Sequence, residues 1–127
     1  MIHLQPIELK ATEDTPEVRF SAADGLLVIS GRSLPENAWQ FYQPLIDWTR
    51  AYCAASAQET LLELKLDYFN SSSGRFLFEL LTILENRAGD KSKVQVNWHV
   101  DHDDELMIEK GQELKGLLEI PFRIVIQ

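Results

Sequence analysis

Leu61-Leu62-Glu63-Leu64-Lys65-Leu66-Asp67-Tyr68-Phe69-Asn70-Ser71-Ser72-Ser73-Gly74 runs from an apolar segment into a cluster of small polar residues. Leu61, Leu62, Leu64 and Leu66, with Glu63 and Lys65 between the later ones, read as a strand. The alternation is only partial, as expected where both faces of a sheet are partly covered. After Asp67-Tyr68-Phe69, the small polar residues Asn70 to Gly74 read as a loop. Leu77, Leu80, Leu81, Leu84 and Ala88 then recur at helical spacing up to Gly89. Val94, Val96, Trp98 and Val100 alternate with Gln95, Asn97 and His99 as a second strand. A strand–helix–strand unit from Leu61 to Val100 implies a right-handed crossover joining parallel strands.

The flanking segments extend this pattern in both directions. Upstream, Ala38 to about Ala55 reads as a helix whose face carries Tyr42, Leu45, Ile46, Thr49, Tyr52 and Cys53, widened by Trp39, Phe41 and Trp48. Pro44 falls in the first two turns, where its missing N–H costs least. Gly31 to Asn37 reads as a loop closed by a helix cap, either Asn37 or a Ser33/Glu36 capping box. Val18–Ser21 and Leu26–Ser30, separated by Ala22-Ala23-Asp24-Gly25, carry the Asp-Gly signal of a hairpin. The first fifteen residues are polar and weakly patterned, with a loose edge strand around Ile7 and Leu9. Downstream, the acidic run Asp101 to Glu105 opens a third helix through roughly Leu117, and Phe122–Ile126 is a closing strand. The expected class is α/β: a single domain over residues 1–127 with one mixed sheet and three main helices. Sites in such sheets favour the carboxyl ends of the strands, here Asn70 to Arg75.

Composition narrows the function. Among 127 residues, 12 Lys and Arg against 20 Asp and Glu leave a net charge of −8. No basic cluster exists to neutralise phosphates, which argues against nucleic acid and against an anionic membrane surface. The longest apolar runs are a few residues, too short to span a bilayer. The amino terminus shows no secretion signal. One cysteine, Cys53, excludes an internal disulfide and CxxC metal or redox motifs. These features point to a cytoplasmic protein with an ordinary hydrophobic core.

The loop from Asn70 to Gly74 is the most informative stretch for chemistry. A helix start presents unpaired N–H groups and a partial positive charge, so an anion is stabilised there. The loop could hold a ligand's phosphate, could receive a phosphoryl group on a hydroxyl, or could serve only to cap the helix through Ser72 or Ser73. Nucleotide-binding glycine motifs are absent, as is GxSxG with a histidine base, so neither nucleotide binding nor serine hydrolysis is supported. A second candidate is the segment His99, Asp101, His102, Asp103, Asp104 and Glu105, whose residue types suit a metal or a small ligand. Ligands this close in sequence rarely converge on one ion without help from elsewhere in the fold. An acidic start to the third helix, favoured by the helix dipole, is the simpler explanation of them.

Four blocks in order carry a family resemblance. They are Ser30-Gly31-Arg32-Ser33-Leu34-Pro35-Glu36-Asn37 with Phe41-Tyr42-Gln43-Pro44-Leu45-Ile46-Asp47-Trp48; Leu66-Asp67-Tyr68-Phe69-Asn70-Ser71-Ser72-Ser73; Asn97-Trp98-His99 with the acidic run; and Ile120-Pro121-Phe122. Over roughly residues 15 to 125 the chain resembles the SiaC-type regulatory phosphoproteins. The resemblance implies an anti-anti-sigma-like (STAS-like) fold and no enzymatic activity or cofactor. It implies a hydroxyl in the Asn-Thr-Ser-Ser loop that is phosphorylated by a serine/threonine protein kinase and cleared by a PP2C-type phosphatase. The unphosphorylated form is implied to bind and activate a diguanylate cyclase, linking it to cyclic-di-GMP signalling and biofilm behaviour. By position the acceptor is Ser71, where the family usually has Thr. Aligning Ser72-Ser73-Gly74 with the anti-anti-sigma acceptor loop names Ser72 as the rival. Asn70, Ser72, Ser73, Gly74 and Arg75 are then the expected partner-binding residues.

Overall fold

The computed structural model describes residues 4–55, 58–87 and 90–127. In chain order these form β1 (Ile7–Leu9), β2 (Glu17–Ser21), β3 (Leu26–Ser33), α1 (Ala38–Ala55), β4 (Thr60–Phe69), α2 (Ser71–Glu85), a 3₁₀ turn (Lys91–Lys93), β5 (Val94–Val100), α3 (Glu105–Leu117) and β6 (Phe122–Ile126). The six strands make one mixed sheet in sequential order β1-β2-β3-β4-β5-β6. The first three are antiparallel neighbours, and β3 to β6 run parallel. The expected hairpin is present, with Gly25 at φ 63°, where a side chain is disfavoured.

Each helix connects a strand to its next neighbour in the same direction. A common hand of crossover therefore places all three helices on one face of the sheet. Burial agrees. Leu62, Leu64 and Leu66 are at most 4% exposed and Val94, Val96, Trp98 and Val100 are likewise buried, while Lys65 is exposed and Glu63, Gln95, Asn97 and His99 are half-buried. The partial alternation in β4 thus does not reflect cover on both faces, as its sequence suggests. One face is packed against helices and the other carries polar side chains. The core joins Leu62, Leu64, Val96 and Trp98 to Tyr42, Leu45 and Ile46 of α1 and to Leu77, Leu80, Leu81 and Leu84 of α2.

Several boundaries differ from the sequence reading. β3 continues through Gly31, Arg32 and Ser33, expected as loop, because these residues pair with Leu66, Tyr68 and Phe69 of β4 across a bulge at Gly31/Arg32. Gly31 accommodates the bulge with φ 116°. β4 accordingly reaches Phe69 rather than ending at Leu66. Asn37 caps α1, its Oδ1 accepting from the Gln40 N–H at 3.1 Å, so the Ser33/Glu36 box is not the cap. α2 ends at Glu85 with Asn86 as its C-cap. Ala88 and Gly89, expected to finish that helix, lie outside the described residues, as does His3.

Candidate functional site

The bulge matters because it brings the end of β3 beside the start of α2. Ser33, Phe69 and Asn70 become neighbours: Ser33 pairs with Phe69 in the sheet, and the Asn70 N–H donates to the Ser33 carbonyl at 3.1 Å. Asn70 then caps α2. Its backbone is extended (φ −84°, ψ 172°), its Oδ1 accepts from the Ser73 N–H at 2.9 Å, and its carbonyl accepts from the Gly74 N–H at 2.9 Å. Asparagine is among the best residues for this position. Ser71, Ser72, Ser73 and Gly74 therefore lie inside the first helical turn rather than in a loop, and neither Ser72 nor Ser73 is the cap.

The three hydroxyls have separate fates. Ser73 is fully buried. Its Oγ donates to the Ser33 carbonyl at 3.1 Å and accepts from Ser33 Oγ at 2.8 Å. Ser33 Oγ also lies 2.5 Å from the Tyr42 hydroxyl. With its one proton given to Ser73, Ser33 accepts from Tyr42, so the phenol must be protonated. Burial pushes the Tyr42 pKa above its ordinary value, against a smaller lowering by its hydroxyl neighbours, which favours that protonated form. Ser71 and Ser72, by contrast, are exposed.

Helix periodicity sends those two exposed hydroxyls to different sides. Ser71 shares a face with Gly74, Arg75 and Phe78; Ser72 shares one with Arg75, Phe76 and Glu79. Phe76 stacks on Tyr42 of α1 at 5.7 Å and Glu79 pairs with Arg50 of α1 at 3.1 Å. The Ser71 side is the outward stripe, with Arg75 exposed and Phe78 37% exposed. No acidic side chain stands in the first turn of α2. The turn thus offers an accessible nucleophilic oxygen in a locally positive field.

The second candidate segment does not assemble into a metal site, although His99, Asp101 and Asp104 line a common surface cavity with Lys65 and Asp67. His99 Nε2 is bonded to Glu63 Oε2 on the open sheet face, and Asn97 donates to Glu63 Oε1 at 3.1 Å. His102 instead turns its Nδ1 toward the Gln127 carbonyl at 3.0 Å. Asp104 caps α3, accepting from the Met107 N–H at 3.2 Å. Among the described residues no three His, Cys, Asp or Glu side chains are placed to hold a metal ion. The short spacing that suggested a ligand set is divided between a strand, a turn and a helix cap.

Ser33, Tyr42 and Phe69 belong to the site but were not singled out by sequence. Tyr42 reads as core and Ser33 as loop, and no local pattern links either to Ser73.

The family model described as SiaC family regulatory phosphoprotein matches residues 9–127. A relative from Pseudomonas aeruginosa (strain UCBPP-PA14) is 28% identical over 121 residues, covering 95% of this chain and 96% of its own length. The solved structure of SiaC of Pseudomonas aeruginosa superposes with a TM-score of 0.86 at 26% identity, over 97% of this chain and 99% of that one. SiaC from the crystal structure of the diguanylate cyclase SiaD in complex with its activator SiaC, also of Pseudomonas aeruginosa, superposes with a TM-score of 0.86 at 28% identity, over 95% and 99% of the two chains. Among the described residues, no helix is long and apolar enough to cross a membrane.

Proposed function

Because the chain belongs to the SiaC family of regulatory phosphoproteins, we propose that it is a non-enzymatic cytoplasmic switch, phosphorylated on Ser71, that binds and activates a diguanylate cyclase when unmodified. The observation that carries this reading is the division of labour in one helical turn. Ser73 is buried and committed to Ser33, while Ser71 stands exposed beside a positive helix start. Ser72 is also exposed, but its face runs toward α1, whereas Ser71 heads the stripe that continues through Arg75 to Phe78. That stripe, with Asn70, Ser72 and Gly74 at its edge, is the docking face for the cyclase. Ser73 contributes by fixing the turn rather than by touching the partner.

A serine/threonine protein kinase transfers the γ-phosphoryl group of ATP to Ser71 Oγ, and a PP2C-type phosphatase returns the hydroxyl by hydrolysis. The phosphate adds about −1.5 to −2 charges, which the helix start tolerates well. The same group ruins an apolar or acidic contact at Phe78 and Arg75. Loss of about 3 kcal/mol at the interface weakens binding more than a hundredfold, enough for a switch between cyclase-bound and free states. Cyclic-di-GMP output and biofilm behaviour then follow the modification state.

The test is to incubate the protein with its cognate kinase and ATP and to map the product by mass spectrometry. Phosphate on Ser71 supports the assignment; phosphate on Ser72 alone moves the acceptor by one residue; phosphate only outside Asn70–Ser73 overturns it.

A further inference from the structure

Phe69, the last residue of β4, is a shared platform between α2 and α3. Its ring is 7% exposed and meets Trp98 edge-on, with centroids 5.9 Å apart and an interplanar angle of 87°. On one side, Gly74 of α2 approaches so closely that a Cβ there would stand 3.0 Å from Phe69 Cε2. On another, Lys110 of α3 holds its ammonium 5.1 Å from the ring centroid. α3 itself packs on β5 and β6. Gly74 of α2 and the Lys110 ammonium of α3 therefore both contact the Phe69 ring. Ser71, three residues before Gly74, is on the Gly74 face.

Neither Lys110 nor Arg75 has a carboxylate partner among the described residues. The ion pairs there engage Arg19, Arg50, Lys91 and His99.

We propose that Lys110, reaching from α3 across the Phe69 ring, is the cation that receives the phosphate of phosphorylated Ser71, with Arg75 as its companion on α2. This rests on the reading of Ser71 as the acceptor. A cation over an aromatic face is held weakly, and the four-carbon lysine stem is flexible, so a phosphate dianion draws the ammonium off the ring. The modification then does more than add charge: it ties the first turn of α2 to α3 across the Phe69 platform. Ser72 has Arg75 at i+3 but lies off the Gly74 stripe, toward Phe76, Glu79 and α1, and so away from the Phe69 ring and Lys110.

The experiment uses the full chain with phosphoserine incorporated at position 71 during translation, so that no kinase is needed. Thermal unfolding is compared with the unmodified chain at low salt, in the native sequence and in Lys110→Met, Lys110→Gln and Lys110→Arg. The readout is the gain on phosphorylation within each background, which cancels any packing loss from the substitution itself. The expected gain is about 2–4 °C in the native sequence. It is at least halved in Lys110→Met and Lys110→Gln and retained in Lys110→Arg. Phosphoserine at position 72 should show a gain that Lys110→Met leaves unchanged. Equal gains at position 71 with and without the lysine charge, or no gain in the native sequence, overturn the proposal. Either result leaves the choice of acceptor untouched, since that choice is decided by the kinase product.

Discussion

Ser33 and Ser73, 40 residues apart in sequence, exchange two hydrogen bonds in the core: Ser33 Oγ donates to Ser73 Oγ at 2.8 Å and Ser73 Oγ donates to the Ser33 carbonyl at 3.1 Å. This pairing fastens the first turn of α2 to the end of β3 and, through Tyr42, to α1. It fixes the helical phase, and so determines which serines face solvent.

Removing that fastening should loosen the fold without removing the acceptor. Ser73→Ala leaves the Ser33 hydroxyl without its acceptor in a buried site, a loss of about 1–3 kcal/mol. Urea unfolding should show a lower midpoint with an unchanged slope, while kinase-dependent phosphorylation persists. Phosphate mapped on Ser73 itself in the native protein would contradict the structural role given to it.

Alkaline pH should act through Tyr42. Its folded-state pKa lies above the ordinary value of 10.0, because burial disfavours the phenolate. The folded protein therefore holds this proton more tightly than the unfolded chain. The contribution is complete below the unfolded value and is lost as pH rises from that value through the folded one. Tyr42→Phe, which cannot titrate, should cost about 1 kcal/mol near neutrality and show a shallower fall as pH rises past the ordinary phenol value of 10.0. Cys53, whose pKa is also raised, chiefly by burial, is present in both proteins, so the difference isolates the tyrosine. Parallel curves through this range would contradict the role given to the phenol.

Gly111 is the position where a single methyl group does most harm to the platform. A Cβ there would stand 2.5 Å from Trp98 Cδ1 and 2.6 Å from its Nε1. The indole cannot retreat freely, since its N–H donates to the Met107 carbonyl at 2.9 Å. Gly111→Ala gains helix propensity of about 1 kcal/mol but forces overpacking that costs about 1–3 kcal/mol or more. A net drop in stability is expected in chemical denaturation. A more stable Gly111→Ala protein would show that Trp98 and α3 can separate at little cost.

Most of the architecture was legible because its signals are local. Asp24-Gly25 marks the hairpin, Val94 to Val100 alternate cleanly, and the leucines of α2 keep helical spacing. The ends of β3 and β4 were not legible, because Gly31 to Ser33 become strand only by pairing with Leu66 to Phe69 across a bulge. Similarly, Asn70 to Gly74 read as loop because small polar residues serve loops and helix starts alike. The exposed Ser71 and Ser72 could be named from sequence. The commitment of Ser73 to Ser33 and the approach of Lys110 to Phe69 could not, since both depend on contacts between distant segments.

If phosphorylation of Ser71 controls docking, it must change the affinity for the cyclase. The dissociation constant of the partner diguanylate cyclase for this protein should be measured by calorimetry, once unmodified and once stoichiometrically phosphorylated on Ser71. Weakening by roughly a hundredfold or more, with loss of cyclase activation, is the result expected of the switch. Equal affinity of the two forms would contradict it.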